Sequence, residues 1–129
     1  MTYQELVAAA KSQIREIQPE ELEPRRSGVI VVDVREADEF DQGSIEGAIH
    51  LARGVLEGSI RSHVPDVERE VVLYCEGGAR SALAALSLQQ LGYTRVSSLA
   101  GGFGRWKTEG YPWGTPKGLT TDHRGRYSR

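Results

Sequence analysis

Uninterrupted runs of apolar and often β-branched residues mark the strands that this sequence predicts. The clearest run is VIVVDV at residues 29–34, and residues 70–74 form a second, EVVLY. Residues 48–51 and 95–99 are shorter and weaker candidates. A strand that is covered on both faces reads as continuous rather than alternating apolar character. These runs therefore predict a parallel sheet.

Segments with helical periodicity precede these strands and lie between them. Residues 2–13 place Leu6 and Ala10 on one face of a predicted helix, and a short helix begins at Pro19. Residues 14–17 either continue the first helix or form a short strand. Further helices are predicted over residues 36–42, 55–61, 81–90 and 103–109. The alternation indicates an α/β domain with a central, mostly parallel sheet flanked by helices.

The composition is that of an ordinary globular protein, with 39% hydrophobic and 26% charged residues. A length of 129 residues fits one domain. Because 16 Lys+Arg stand against 18 Asp+Glu, the net charge of -2 gives no electrostatic case for nucleic-acid binding. No apolar run approaches the ~20 residues of a membrane helix, and no secretory signal is visible at the start. We expect a cytoplasmic protein.

The chain divides into three predicted segments. Residues 1–13 form an N-terminal helical extension, residues 14–112 the domain itself, and residues 113–129 a basic tail or linker. Turn-forming residues dominate after Gly110, and little apolar material remains near the end. The charges of the last 13 residues are Lys117, Asp122, Arg124, Arg126 and Arg129.

Cys75 is the single cysteine of the chain. One thiol excludes an intramolecular disulfide, a CxxC redox pair and a thiolate zinc cluster, and it suits a reducing compartment. A lone cysteine is either a buried small hydrophobe or a reactive nucleophile, and base rates favour the buried role. Composition alone leaves both readings open.

The segment that follows the second strong strand carries the candidate chemistry. Cys75 ends the strand, Gly77 and Gly78 follow, and a helix begins near Arg80. Backbone N–H groups of such a loop can converge on an anion at the positive end of the helix dipole, which stabilises a thiolate. Glu76 opposes thiolate formation if it points inward. The alternative is a simple glycine turn beside a packed strand end.

Nearly the whole chain resembles the rhodanese-like family. A strand ending in DVRE, with Glu39 and Phe40 after it, resembles the first family signature. Residues 43–51, GSIEGAIHL, resemble its GHIxGAxxI/L turn, except that Ser44 replaces the His often found there. Residues 75–80 fit the CxxxxR active loop, and residues 99–106, LAGGFGRW, fit the closing LxGGxxxW element. The resemblance implies a single rhodanese-like α/β domain.

The resemblance also implies an enzyme, a rhodanese-type sulfurtransferase. Cys75 would accept sulfane sulfur and carry it as a persulfide that the loop N–H groups hold. The donor would be thiosulfate or a protein persulfide, and no metal or organic cofactor is needed because sulfur itself is carried. Glu76 predicts weak turnover of the thiosulfate dianion. The implied active-site loop consists of Glu76, Gly77, Gly78, Ala79, Arg80 and Ser81.

Loop length distinguishes sulfur transfer from a less favoured alternative. The spacing C-x4-R is one residue shorter than the C-x5-R loop of the related cell-cycle dual-specificity phosphatases. The shorter loop suits a single sulfur atom better than a tetrahedral oxyanion, so phosphatase or arsenate-reductase chemistry is disfavoured. A non-catalytic rhodanese-like module that binds partners stays open as a second class.

For the remaining charged residues, the sequence predicts supporting or peripheral roles. Asp33 and Arg35 are expected to support the carboxyl end of the sheet by pairing with neighbours. Arg53 and Arg105 are candidates for the rim of the site, where they would attract an anionic donor. His50 is expected to be structural.

The end of the chain carries a second, shorter resemblance. Residues 126–129, RYSR, resemble the opening of adenylyltransferases that activate sulfur-carrier proteins. This implies an adenylyltransferase or sulfur-carrier protein as partner, in molybdopterin, thiamine or tRNA thiolation. The alternative is a generic basic tail.

Overall fold

The structure is a computed structural model that describes residues 1–115 and the backbone of residues 120–121 and 127–128. Its helices are α1 Tyr3–Lys11, α2 Pro19–Leu22, α3 Ala37–Asp41, α4 Leu56–His63, α5 Ala79–Gln90 and α6 Gly102–Thr108. Its strands are β1 Arg15–Ile17, β2 Ile30–Asp33, β3 Ser44–Ile45, β4 Ile49–His50, β5 Val71–Tyr74, β6 Val96–Leu99, β7 Trp113–Gly114, β8 Thr120–Thr121 and β9 Tyr127–Ser128.

The central sheet is parallel and has the strand order β1-β6-β5-β2-β4. The two strongest apolar runs form its middle, since β2 pairs with β5 from Ile30 against Val71 to Asp33 against Tyr74. Side chains of a strand alternate between the two faces of the sheet. Accordingly, Leu73 belongs to the core on one face and Val72 to the core on the other. The predicted α/β fold with a mostly parallel, helix-flanked sheet is confirmed.

The N-terminal segment forms both a helix and a strand. Thr2 caps α1 through a reciprocal pair of hydrogen bonds with Glu5, which satisfies two backbone N–H groups. Val7 and Ala10 are buried where α1 packs against α5. Residues 15–17 then form β1 at the edge of the sheet beside β6, so the strand alternative for residues 14–17 is the correct one.

A small antiparallel sheet lies beside the central one and was not anticipated. Its order is β3-β7-β8-β9, and Ile45 pairs with Trp113. Residues 113–114 thus pair with the domain, beyond the predicted boundary at residue 112. The predicted tail otherwise lies largely outside the described residues, which omit 116–119, 122–126 and 129. Within the described part, no helix has the length and apolar character that crossing a bilayer requires.

Candidate active site

Cys75 lies at the carboxyl end of β5, and its side chain is buried. Its Sγ accepts hydrogen bonds from the backbone N–H of Gly78 at 3.1 Å and of Ser81 at 3.3 Å. The Ser81 hydroxyl lies 3.4 Å from the same sulfur. The two readings of the lone cysteine therefore coexist, because the thiol is buried yet surrounded by donors that would stabilise its anion.

The loop conformation follows from one glycine. Gly78 has a φ of +104° and precedes α5, whose first turn contains Ala79, Arg80 and Ser81. Side chains other than glycine rarely adopt this left-handed region. The backbone can therefore reverse direction and aim the N–H groups of Gly78 and Ser81 at the sulfur. The partial positive charge at the start of a twelve-residue helix adds to the same effect.

The start of α6 closes the loop from the opposite side. The N–H of Phe103 donates to the carbonyl of Cys75 at 2.8 Å, and that of Gly104 donates to the carbonyl of Glu76 at 3.0 Å. Gly102 makes this approach feasible, since a Cβ there would lie 2.5 Å from both carbonyl oxygens. The LAGGFGRW segment thus holds the loop through backbone hydrogen bonds from Phe103 and Gly104, for which Gly102 leaves the space.

Asp33 and Arg35 form a buried ion pair behind the loop. Arg35 donates from Nη2 to the Asp33 carboxylate at 2.7 Å and to the Gly43 carbonyl at 2.6 Å. Burial lowers the pKa of Arg35, but the hydrogen bonds to Asp33 and the nearby acidic groups together outweigh it and raise the pKa above its usual value. Arg35 also lies 3.2 Å from the half-exposed Glu76 carboxylate. Glu76 is therefore drawn toward Arg35.

Arg80 is held by an acidic residue of α3. Its guanidinium donates to both carboxylate oxygens of Glu39, at 2.8 and 3.1 Å. The hydrogen bonds from Arg80 are the main reason that the pKa of Glu39 falls to about 2. The same bonds raise the pKa of Arg80. This geometry favours a role for Arg80 in bracing the loop.

The other charged candidates have different surroundings. Arg53 bonds to Glu57 and Ser87, and Arg105 bonds to Glu109 and Gln18. Within the described residues, neither arginine makes a hydrogen bond or ion pair to residues 75–81. A role at the rim stays a prediction for both.

His50 supports the sheet end. Its Nε2 lies 2.7 Å from the carbonyl oxygen of Arg35, and its ring stacks on Phe40 with centroids 4.8 Å apart. These contacts agree with the structural role expected of it.

Two residues of the site were missed from the sequence. In the sequence Glu39, the partner of Arg80, stands out only by its place in the family signature. Ser98 of β6 is fully buried and lies 2.8 Å from the Ser81 hydroxyl, oxygen to oxygen. The signal that could have found Ser98 is the polar pair Ser97–Ser98 inside a buried strand, where each hydroxyl needs a partner.

A polar pocket of about 170 Å³ opens beside the loop. Its charged lining is balanced, with two acidic and two basic side chains. They are Arg35, Glu39, Glu76 and Lys107. A pocket of this kind has no excess of positive charge with which to attract a dianion.

Comparison with known proteins identifies the family. The family model described as a rhodanese-like domain matches residues 18–109. A sulfurtransferase of Allochromatium vinosum is 38% identical over 108 residues, covering 81% of this chain and 99% of that protein. The thiosulfate sulfurtransferase GlpE of Coxiella burnetii is 35% identical over 95 residues, covering 74% and 86%. The chain belongs to the rhodanese-like family, and it is an enzyme of the sulfurtransferase class.

Solved structures agree with the assigned fold. The polysulfide-sulfur transferase homodimer of Wolinella succinogenes matches with a TM-score of 0.76 and 28% identity, covering 88% of this chain and 87% of that one. A Rhodopseudomonas palustris protein of unknown function, described as a "possible tyrosine phosphatase", matches with a TM-score of 0.78 and 30% identity, covering 84% and 90%. The predicted family is confirmed.

Proposed function

We propose that this protein carries sulfane sulfur as a persulfide on Cys75 and passes it to a thiophilic or protein acceptor. One observation carries the proposal. The N–H groups of Gly78 and Ser81 converge on the Cys75 Sγ at 3.1 and 3.3 Å. Donors that are already in place stabilise a sulfur anion without reorganising during the reaction.

The proposed reaction has two displacement steps. The Cys75 thiolate attacks the sulfane sulfur of a donor, the sulfur–sulfur bond of the donor breaks, and the leaving group departs with the electron pair. With thiosulfate the leaving group is sulfite. An acceptor nucleophile then attacks the terminal sulfur, and Cys75 leaves as a thiolate. Sulfur moves between nucleophiles, so the two steps together need no further oxidant or reductant.

Phosphatase chemistry fits this loop less well. Two N–H groups of the Arg80 guanidinium, the group that would have to bind a phosphoryl oxyanion, already donate to Glu39. The short C-x4-R spacing supports the same preference. Because the similar Rhodopseudomonas palustris protein is described as a possible tyrosine phosphatase, hydrolysis of a phosphate ester should be assayed for comparison.

The test is intact mass spectrometry of the full chain after exposure to thiosulfate and to a low-molecular persulfide. We expect the mass of one sulfur atom to be added, and cyanide to remove it as thiocyanate. Cys75→Ser keeps nearly the same side-chain size but cannot hold sulfane sulfur, so it should unfold like the wild type and gain no sulfur. If the wild type takes up no sulfur from any donor, the proposal fails and the non-catalytic alternative is favoured. If it hydrolyses p-nitrophenyl phosphate instead, the phosphatase alternative is favoured.

Weak use of thiosulfate is part of the proposal. The pocket beside the loop is balanced in charge, and Glu76 lies next to Cys75 in the chain. The Coxiella burnetii relative is nevertheless named for thiosulfate, so kcat/KM for thiosulfate and for a persulfide donor should be measured side by side. We expect the persulfide to be the better donor.

The acceptor is proposed from the end of the chain. Residues 126–129 resemble the opening of adenylyltransferases, which would place the enzyme in sulfur-carrier pathways of the cytoplasm. Labelled sulfur on Cys75 should then reach a sulfur-carrier protein when its adenylyltransferase, ATP and a reducing thiol are present. Equal transfer to an unrelated protein thiol would contradict this assignment.

A further inference from the structure

Two buried hydroxyl groups extend from the Cys75 sulfur into the core. Ser81 belongs to the first turn of α5 and Ser98 to β6, and both are completely buried. The Ser81 oxygen lies 3.4 Å from Sγ and 2.8 Å from the Ser98 oxygen. We propose that Ser98 is a positioning residue that acts through Ser81, holding the Ser81 hydroxyl so that its proton points at the thiolate. This inference rests on the proposed role of Cys75.

The direction of the two hydroxyl protons follows from the charge on sulfur. A thiolate only accepts hydrogen bonds, so the Ser81 hydroxyl must donate to it. The oxygen of Ser81 then keeps a free lone pair. Within the described residues, Ser81 is the hydrogen-bond partner of the Ser98 hydroxyl. Because an unpaired buried hydroxyl is costly, Ser98 donates to Ser81 whenever Ser81 donates to sulfur.

Ser98 also counters a competing arrangement. A serine near the start of a helix can turn its hydroxyl back to the carbonyl three residues earlier, which for Ser81 is that of the N-cap residue Gly78. Accepting a hydrogen bond from Ser98 holds the Ser81 oxygen toward β6 and the sulfur. It also makes Ser81 a stronger donor, since hydrogen bonds in a chain polarise one another.

The pair suits a sulfur that changes charge during turnover. Sγ is anionic when it attacks a donor and again when it leaves after transfer, but it is neutral within the persulfide, whose charge lies on the terminal sulfur. The N–H groups of Gly78 and Ser81 donate in every state. A hydroxyl can reverse its direction, so Ser81 and Ser98 follow the charge without adding a fixed one. Both half-reactions should therefore depend on Ser98.

The strand offers matched variants for the test. Ser98→Thr keeps the hydroxyl. Ser98→Val gives a side chain with the shape of threonine but without the hydroxyl. This pair separates hydrogen bonding from packing even if Ser98→Ala destabilises the fold. Ser97→Ala is the positional control, because Ser97 is also buried but points to the opposite face of β6. Cys75 is followed by the rate of alkylation with iodoacetamide against pH and by the rate of sulfur loading.

We expect Ser98→Ala and Ser98→Val to lower the alkylation rate at neutral pH by about 3- to 10-fold and to raise its pH midpoint by about half a unit to one unit. Ser98→Thr and Ser97→Ala should resemble the wild type. Loading and cyanide release should slow by a similar factor in the two hydroxyl-free variants.

A double variant decides whether Ser98 acts through Ser81. In a Ser81→Ala background, adding Ser98→Ala should change the pH midpoint no further, since the shared route is already lost. An unchanged midpoint in Ser98→Val, or an equal additional shift in the Ser81→Ala background, would overturn the inference. A wild type that alkylates but loads no sulfur would overturn the proposed function instead, while the pH midpoints would still test the hydroxyl pair.

Discussion

Replacement of Arg35 by leucine should remove a large part of the stability of the domain. The guanidinium of Arg35 is 3% exposed, and the carboxylate of Asp33 is fully buried. Four donor–acceptor contacts of 3.2 Å or less join the two residues. Arg35→Leu would leave Asp33 as a buried carboxylate without its cation and the Gly43 carbonyl without its side-chain donor.

The size of the effect follows from the burial of both partners. Breaking a buried ion pair by removing one partner costs about 3–5 kcal/mol, because the other charge stays desolvated. A domain of this size has a total stability of about 5–15 kcal/mol. At about 4 °C per kcal/mol for a chain of this length, Tm should fall by about 10–20 °C.

The assay is urea unfolding followed by circular dichroism, with the slope of the transition compared between variants. Arg25→Leu is the matched control. Arg25 also donates two hydrogen bonds to a carboxylate, that of Glu70, but its side chain is 48% exposed. That exposed pair is worth about 0–1 kcal/mol. If Arg35→Leu costs no more than Arg25→Leu, the ion pair is not what holds this end of the sheet.

Three further predictions concern the surroundings of the loop. Glu76→Gln removes a charge beside Cys75 and should raise kcat/KM for thiosulfate about 5-fold, since repulsion of about 1 kcal/mol between a surface charge and a dianion corresponds to that factor. An unchanged value would mean that Glu76 does not limit donor choice. Gly102→Ala, with its Cβ 2.5 Å from two loop carbonyls, should cost more than ~2 kcal/mol in urea unfolding and slow sulfur loading, and a variant of wild-type stability would contradict the close approach. The pKa of Glu39 lies at about 2 in the fold against 4.5 as its ordinary value, so the stability it gains from Arg80 is present above pH 4.5 and lost as pH falls toward 2. Unfolding of Glu39→Gln should therefore differ from wild type at neutral pH and converge with it in acid, and a constant difference would refute the assignment.

The central fold was predictable because its determinants are local. A strand that is buried on both faces needs apolar residues at nearly every position. Residues 29–34 and 70–74 show this pattern in the sequence itself. The helices were predictable from spacing and turn residues. The small antiparallel sheet was not, since β3 and β7 are two residues each and pair across almost 70 positions of sequence. Such short strands carry no periodicity of their own.

The active-site loop was predictable in outline but its bracing was not. The position of Cys75 at a strand end and the two glycines after it suggested converging N–H groups. The partner of Arg80 lies 41 residues away, and only packing of α3 beside the loop makes Glu39 its partner. The Ser97–Ser98 pair marks Ser98 as polar within a buried strand, but its partner Ser81 follows only from the packing of α5 on β6. Long-range pairs of this kind depend on which elements become neighbours.

The bracing contacts share a consequence for selectivity. Arg35 binds Glu76, Glu39 binds Arg80, and N–H groups of α6 bind the carbonyls of Cys75 and Glu76, so the charged side chains of the loop already have partners. What remains directed at Sγ is a set of neutral donors. Neutral donors stabilise a polarisable sulfur anion but offer no separate charge for the rest of a small donor or acceptor. We therefore expect selection among donors and acceptors to depend on surfaces outside this loop, which a protein persulfide or a protein acceptor can supply and a free anion cannot.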